Sequence, residues 1–77
     1  MNIRIFEEAG GYHICDDDLD YMDARGRPYP TKAAATRGAI GEAADHGARS
    51  VRLTGSGVAM TVARVEARRF GLAVTFA

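Results

Sequence analysis

Cysteine is nearly absent, charge has no net sign and no long apolar run exists, and each shortage removes a class of function. Cys15 is the only cysteine, so an internal disulfide is excluded, and with two histidines no four-ligand set for a structural zinc can be assembled. A lone thiol suits a reducing compartment. The N-terminus lacks the basic segment and continuous apolar run of a signal peptide, and no apolar stretch approaches membrane length. The chain is therefore expected in the cytoplasm of a bacterial cell, without membrane contact. Its 77 residues allow one domain, 1–77, at a size where a single core is barely sufficient. A homodimer is expected on that ground.

Ten basic residues balance ten acidic ones, but not locally. Residues 1–24 hold Glu7, Glu8, Asp16, Asp17, Asp18, Asp20 and Asp23 against Arg4 alone, whereas residues 25–77 hold nine bases against Glu42, Asp45 and Glu66. The sequence is a dipole. A hairpin fold can either keep its poles apart or lay them side by side, where they would neutralise each other.

What is present is mostly punctuation and alternation. Ile3 and Ile5 alternate with Arg4 and Phe6, Gly10-Gly11 breaks the run, and Tyr12-His13-Ile14-Cys15 follows, which predicts a β-hairpin. A loop centred on Ala9-Gly10 puts Ile5 opposite Ile14 and Glu7 opposite Tyr12. A loop centred on Gly10-Gly11 would put Ile5 opposite Asp16, so the first register is preferred. Asp16 to Asp23 is too acidic for a buried strand and reads as a solvated loop, although it also offers Leu19, Tyr21 and Met22 to bury or present. Ala24 to Arg27 reads as a turn. The two prolines flank Tyr29 and limit that segment to an edge or extended connection, at most a third short strand.

Thr31 to Gly47 is a complete helix phrase, with a cap, an alanine-rich body and a glycine stop. Ala33, Thr36, Ile40, Ala43 and Ala44 fall on one shallow face, opposite Gly41, Glu42 and Asp45, so the strands must supply the bulky residues. Ser50 to Thr54 alternates as a strand. From Val58 to Phe70 two patterns compete: Val58, Met60 and Val62 alternate, while Val58, Val62 and Val65 repeat as a helix face. Ser56 as cap, good helix formers from Ala63 to Arg69 and Gly71 as stop favour the helix. Leu72 to Phe76 closes as a strand. The expected fold is α+β or α/β, a sheet of four to five strands formed by an N-terminal hairpin and then αβαβ, with helices on one or both faces and residues 50–76 making a parallel crossover. If Val58 to Val65 is a strand, the last third is an antiparallel meander.

No catalytic constellation emerges. Asp16, Asp18 and Asp20 share the opening spacing of a calcium loop, but Tyr21 and Arg27 stand where its glycine and bidentate glutamate belong, so no metal is expected. Thr54-Gly55-Ser56-Gly57 has no lysine and no full Walker or dinucleotide pattern, which leaves an ordinary strand-to-helix turn and no cofactor. His13 and Cys15 share a strand face, with no third group or oxyanion donor in view, and the simpler explanation is packing. Arg64, Arg68 and Arg69 form a basic stripe beside Phe70, either a solvated helix face or a nucleic-acid contact.

A glycine-led strand (Gly10 to Ile14), an alanine-rich helix (Thr31 to Ala35), a glycine stop and a short strand (Ala48 to Leu53) resemble in layout the small anti-CRISPR proteins of phages and mobile elements. Short bacterial domains of unknown function have the same order. The resemblance spans residues 10–54 and carries over no functional residue. It implies a non-enzymatic inhibitor that docks on a Cas protein or a type I surveillance complex and blocks target DNA engagement or nuclease recruitment. The protein-binding residues expected for such a role are Glu7, Glu8, Asp16, Asp17, Asp18, Asp20, Tyr21, Met22 and Asp23, carboxylates imitating phosphates beside apolar anchors. The alternative is a nucleic-acid-binding module using Arg64, Arg68 and Arg69, although direct nucleic-acid binding is not expected from a neutral chain.

Overall fold

The computed structural model describes residues 1–18, 20–22 and 27–77. Leu19, Asp23 and most of the turn expected at 24–27 lie outside the described residues. The described elements are strands β1 (Asn2–Glu8) and β2 (Gly11–Cys15), helix α1 (Lys32–Asp45), strand β3 (Ser50–Thr54), helix α2 (Met60–Phe70) and strand β4 (Ala73–Phe76). The four strands form one mixed sheet in the order β2-β1-β3-β4, with β1 antiparallel to β2 and parallel to β3, and β3 parallel to β4. This is an α+β fold.

The hairpin has the register that isoleucine pairing demands, with Ile5 opposite Ile14 and Glu7 opposite Tyr12. A one-residue slip would have turned every side chain of β2 to the other face. Ile3, Ile5, Ile14, Val51 and Leu53 thus share one side of the sheet, and Ala35, Ala39, Ile40, Ala43, Ala63 and Ala67 of the helices close over them. Six of these eleven core positions come from the helices, and five of those six are alanine. The bulk comes from the strands, which lets both helices lie close to the sheet and to each other.

Helix α1 begins where Thr31 accepts a hydrogen bond from the Ala34 amide (3.1 Å). Both helices end in the same way. Gly47 and Gly71 take left-handed φ values of 72° and 71°, and the residues after them, Ala48 and Leu72, donate back to the carbonyls of Ala43 (3.0 Å) and Ala67 (2.8 Å) while packing on the core. The buried stripe of α1 is Ala35, Thr36, Ala39, Ile40 and Ala43. It is rotated from the expected one, with Ala33 and Ala44 only half-buried, because α1 must face α2 as well as the sheet.

Residues 60–70 are a helix, as the capping and stop residues favoured, but its details differ from expectation. Ala59 rather than Ser56 stands at its start, and the Ala59 amide donates to the hydroxyl of Thr36 on α1 (3.0 Å). Ser56 sits too early because the Gly57 amide donates to the Ile5 carbonyl (3.0 Å), drawing the loop onto the middle of β1 before the helix starts. Gly55, with φ 94°, is also there by necessity, since a β-carbon would collide with that carbonyl. The buried side of α2 is Ala63 and Ala67, one turn apart, and Val65 is 59% exposed. Small residues win this face because the neighbouring helix is close.

No third strand forms between β2 and α1 among the described residues. Tyr21 bridges to Cys15, and Tyr29 exchanges two backbone hydrogen bonds with Tyr12 (2.9 and 2.7 Å), but Pro28 and Pro30 offer no donors with which to extend the pairing. The Tyr29 side chain reaches across to α1, where Gly38 leaves room for its ring and hydroxyl.

Gly41 and Gly38, one turn apart on the same helix, are expected to respond oppositely to alanine. A β-carbon at Gly41 meets nothing within 4 Å, so Gly41→Ala is expected to stabilise the fold by about 0.5–1 kcal/mol through helix propensity. The same change at Gly38 drives a methyl into Tyr29 and is expected to destabilise it. Urea denaturation of the two variants measures the difference in sign.

Candidate functional site

The strand register puts Asn2, Arg4, Phe6, His13, Cys15, Ser50, Arg52, Thr54, Ala73 and Thr75 on the side of the sheet away from the helices. Among the described residues only the segment following β2 folds over this side. Tyr21 is laid along it, its hydroxyl donating to Glu8 (2.6 Å) and its ring 5.0 Å from His13 and edge-on to Phe6 at 5.7 Å. Phe6 in turn stacks on His13 at 5.8 Å. The cover is why Cys15 is 2% and His13 8% exposed on an otherwise open face. Tyr21 itself remains 49% exposed, an aromatic surface fixed at both ends.

The acidic loop has a definite shape. Asp16 turns its carboxylate inward, where one oxygen accepts from the amides of Asp18 (2.9 Å) and Asp20 (3.0 Å), and its own amide donates to the Asp20 carbonyl (3.1 Å). This is aspartate's usual use in a turn. Asp17, Asp18 and Asp20 are exposed, and Asp17 accepts from the Asn2 amide group (3.1 Å). Oxygens of Asp16, Asp18 and Asp20 come within 4.8 Å of one another, so the alternate spacing does converge, with one Asp16 oxygen already holding two amides.

The expected binding residues are therefore divided. Asp16, Asp17, Asp18 and Asp20 gather at the end of β2, Tyr21 connects them along the open face to Glu8, and Glu7 faces the other layer beside Tyr12. Burial first, then the charge of Glu7 and a hydrogen bond to it, push the Tyr12 phenol above its ordinary value. Met22 is half-buried against the core. Asp23 lies outside the described residues.

Among the described residues none of these acids is ion-paired with a later arginine. Among the described residues the ion pairs are His46 with Glu42 (3.9 Å) and Arg69 with Glu66 (3.7 Å), both within a helix. Arg64 instead lies 5.2 Å over the Phe76 ring and Arg69 5.6 Å over Phe70, while Arg68 is exposed. The glycine turn at 55–57 has its Gly57 amide committed to Ile5.

Sequence reasoning passed over two positions. Arg4 and Arg52 line one shallow hollow of about 190 Å³ together with Asn2, Thr54, Asp16 and Asp17. A second hollow, of about 240 Å³, adjoins it between Arg4, Phe6, Cys15 and Tyr21. Alternation in β1 and β3 already turned both arginines away from the core, but the parallel pairing that makes them neighbours has no local sequence signal. No protein-family model, curated protein or solved structure matches the chain.

The turn makes a local prediction. Asp16→Ala is expected to leave the sheet folded while costing roughly 1 kcal/mol and exposing the amides of Asp18 and Asp20 to faster hydrogen exchange than in the parent. Unchanged exchange at both amides would mean that Asp16 does not organise the loop.

Proposed function

We propose that this protein acts by binding and not by catalysis, and that the loop after β2 is its contact with a basic surface on a nucleic-acid-handling protein. One observation carries the reading: Asp17, Asp18 and Asp20 are exposed, with no arginine or lysine within 4.0 Å among the described residues. Carboxylates fixed on a hydrogen-bonded turn imitate a short row of phosphates, and the held ring of Tyr21 beside them supplies an apolar anchor at small entropic cost. In its most specific form, taken from the layout shared with small anti-CRISPR proteins, the partner is a Cas protein or type I surveillance complex in the bacterial cytoplasm. Occupying its DNA-binding groove would block target engagement. The rival use of Arg64, Arg68 and Arg69 on nucleic acid is less favoured, since the first and last of these guanidinium groups rest on the protein's own rings.

Purified surveillance complexes of several type I subtypes, titrated with the protein and then with labelled target DNA, test this. Binding that excludes the DNA is expected, and an Asp17→Asn, Asp18→Asn, Asp20→Asn variant is expected to bind at least roughly tenfold more weakly. Failure to bind any subtype, combined with an affinity for DNA or RNA that falls steeply with salt, would replace this reading with the arginine one.

A further inference from the structure

The open side of the sheet holds opposite charges on opposite flanks of one strand. Asp17 follows β2, Arg52 is on β3, and β1 runs between them with Asn2 and Arg4 in the middle of the same hollow. Neighbouring strands are ~4.8 Å apart, so the two flanks are separated by about 10 Å. Among the described residues no ion pair within 4.0 Å closes that gap.

Such a surface has few natural complements. A phosphate backbone would meet the carboxylates of Asp16 and Asp17, and a uniformly basic protein face would meet Arg4 and Arg52. The surface itself is its own complement. A two-fold axis parallel to β1, lying between two sheets that face each other, exchanges the flanks and sets Asp17 of each copy over Arg52 of the other, making the same pair twice. The adjoining hollow, with the Phe6 and Tyr21 rings in its wall, gives that contact an apolar part.

We propose that the open side of the sheet is the seat of a second copy of this chain, in an isologous dimer held by reciprocal Asp17 and Arg52 pairs. This goes beyond the function proposed above and does not depend on it.

Sedimentation equilibrium of the whole chain tests the dimer directly. The parent is expected to dimerise at low salt and to dissociate as salt is raised. Arg52→Glu and Asp17→Arg each place like charges together twice and are expected to weaken dimerisation by roughly tenfold or more, with unchanged circular dichroism. Mixing these two variants restores both pairs between unlike chains, so a heterodimer is expected where neither variant associates alone. The double variant D17R/R52E is expected to dimerise again. A parent that stays monomeric at millimolar concentration, single variants that dimerise as well as the parent, or a mixture that yields no heterodimer would each overturn the proposal.

Discussion

Everything in this small domain follows from how closely two helices with alanine faces can approach a sheet of isoleucine, valine and leucine. Ala35, Ala39 and Ala43 on α1 and Ala63 and Ala67 on α2 carry only a methyl each, so the apolar volume of the core is carried by Ile3, Ile5, Ile14, Ile40, Val51 and Leu53. Short side chains on the helices face mostly branched ones on the strands, which allows the two layers to interlock. The same closeness lets Thr36 of α1 receive the first free amide of α2, a buried hydroxyl that also fixes where the second helix begins. The cost is area. Alanine removes little apolar surface from water, so the margin of stability is thin.

Because both helices pack on one side, the other side of the sheet is left largely to polar and aromatic residues. Strand alternation delivers Arg4, Phe6, Arg52 and Thr54 to that side as a by-product of placing isoleucine, valine and leucine in the core. The loop after β2 then folds back, with Asp16 holding the turn and Tyr21 the cover, so the exposed aspartates stand at a defined corner instead of trailing in solvent. Among the described residues, acids of the first third and arginines of the rest lie near each other around the Asn2 hollow with no ion pair between them. Both proposals, a basic partner and a second copy of the chain, start from that charge pattern.

Much of this was legible in the sequence, and the illegible parts share a cause. Hairpin register could be read because only one alignment pairs Ile5 with Ile14, and the limits of α1 because Thr31 and Gly47 are strong local signals. The identity of residues 60–70 as a helix followed from the same kind of signal at Gly71. What could not be read was decided between distant segments. Ser56 is a reasonable cap until Ile5 claims the neighbouring Gly57 amide. Val58, Val62 and Val65 look like the inner face of α2 until α1 is close enough to require Ala63 and Ala67 there. Likewise Arg4 and Arg52 are unremarkable strand residues until parallel pairing makes them neighbours. The candidate site was half visible: the aspartates and Tyr21 could be named, but not the inward turn of Asp16, the separation of Glu7 from Glu8, or the arginines.

Close approach of the alanine face is the premise on which the single-sided architecture rests, and one substitution measures it. Ala39 of α1 is wholly buried in the core that the helices close over the sheet. If the helix lies as near the sheet as its small residues allow, Ala39→Leu has nowhere to place three extra carbons, and chemical denaturation is expected to record a loss of roughly 1–3 kcal/mol. A variant more stable than the parent, its added leucine filling vacant space, would contradict the close packing from which the rest of the fold is derived.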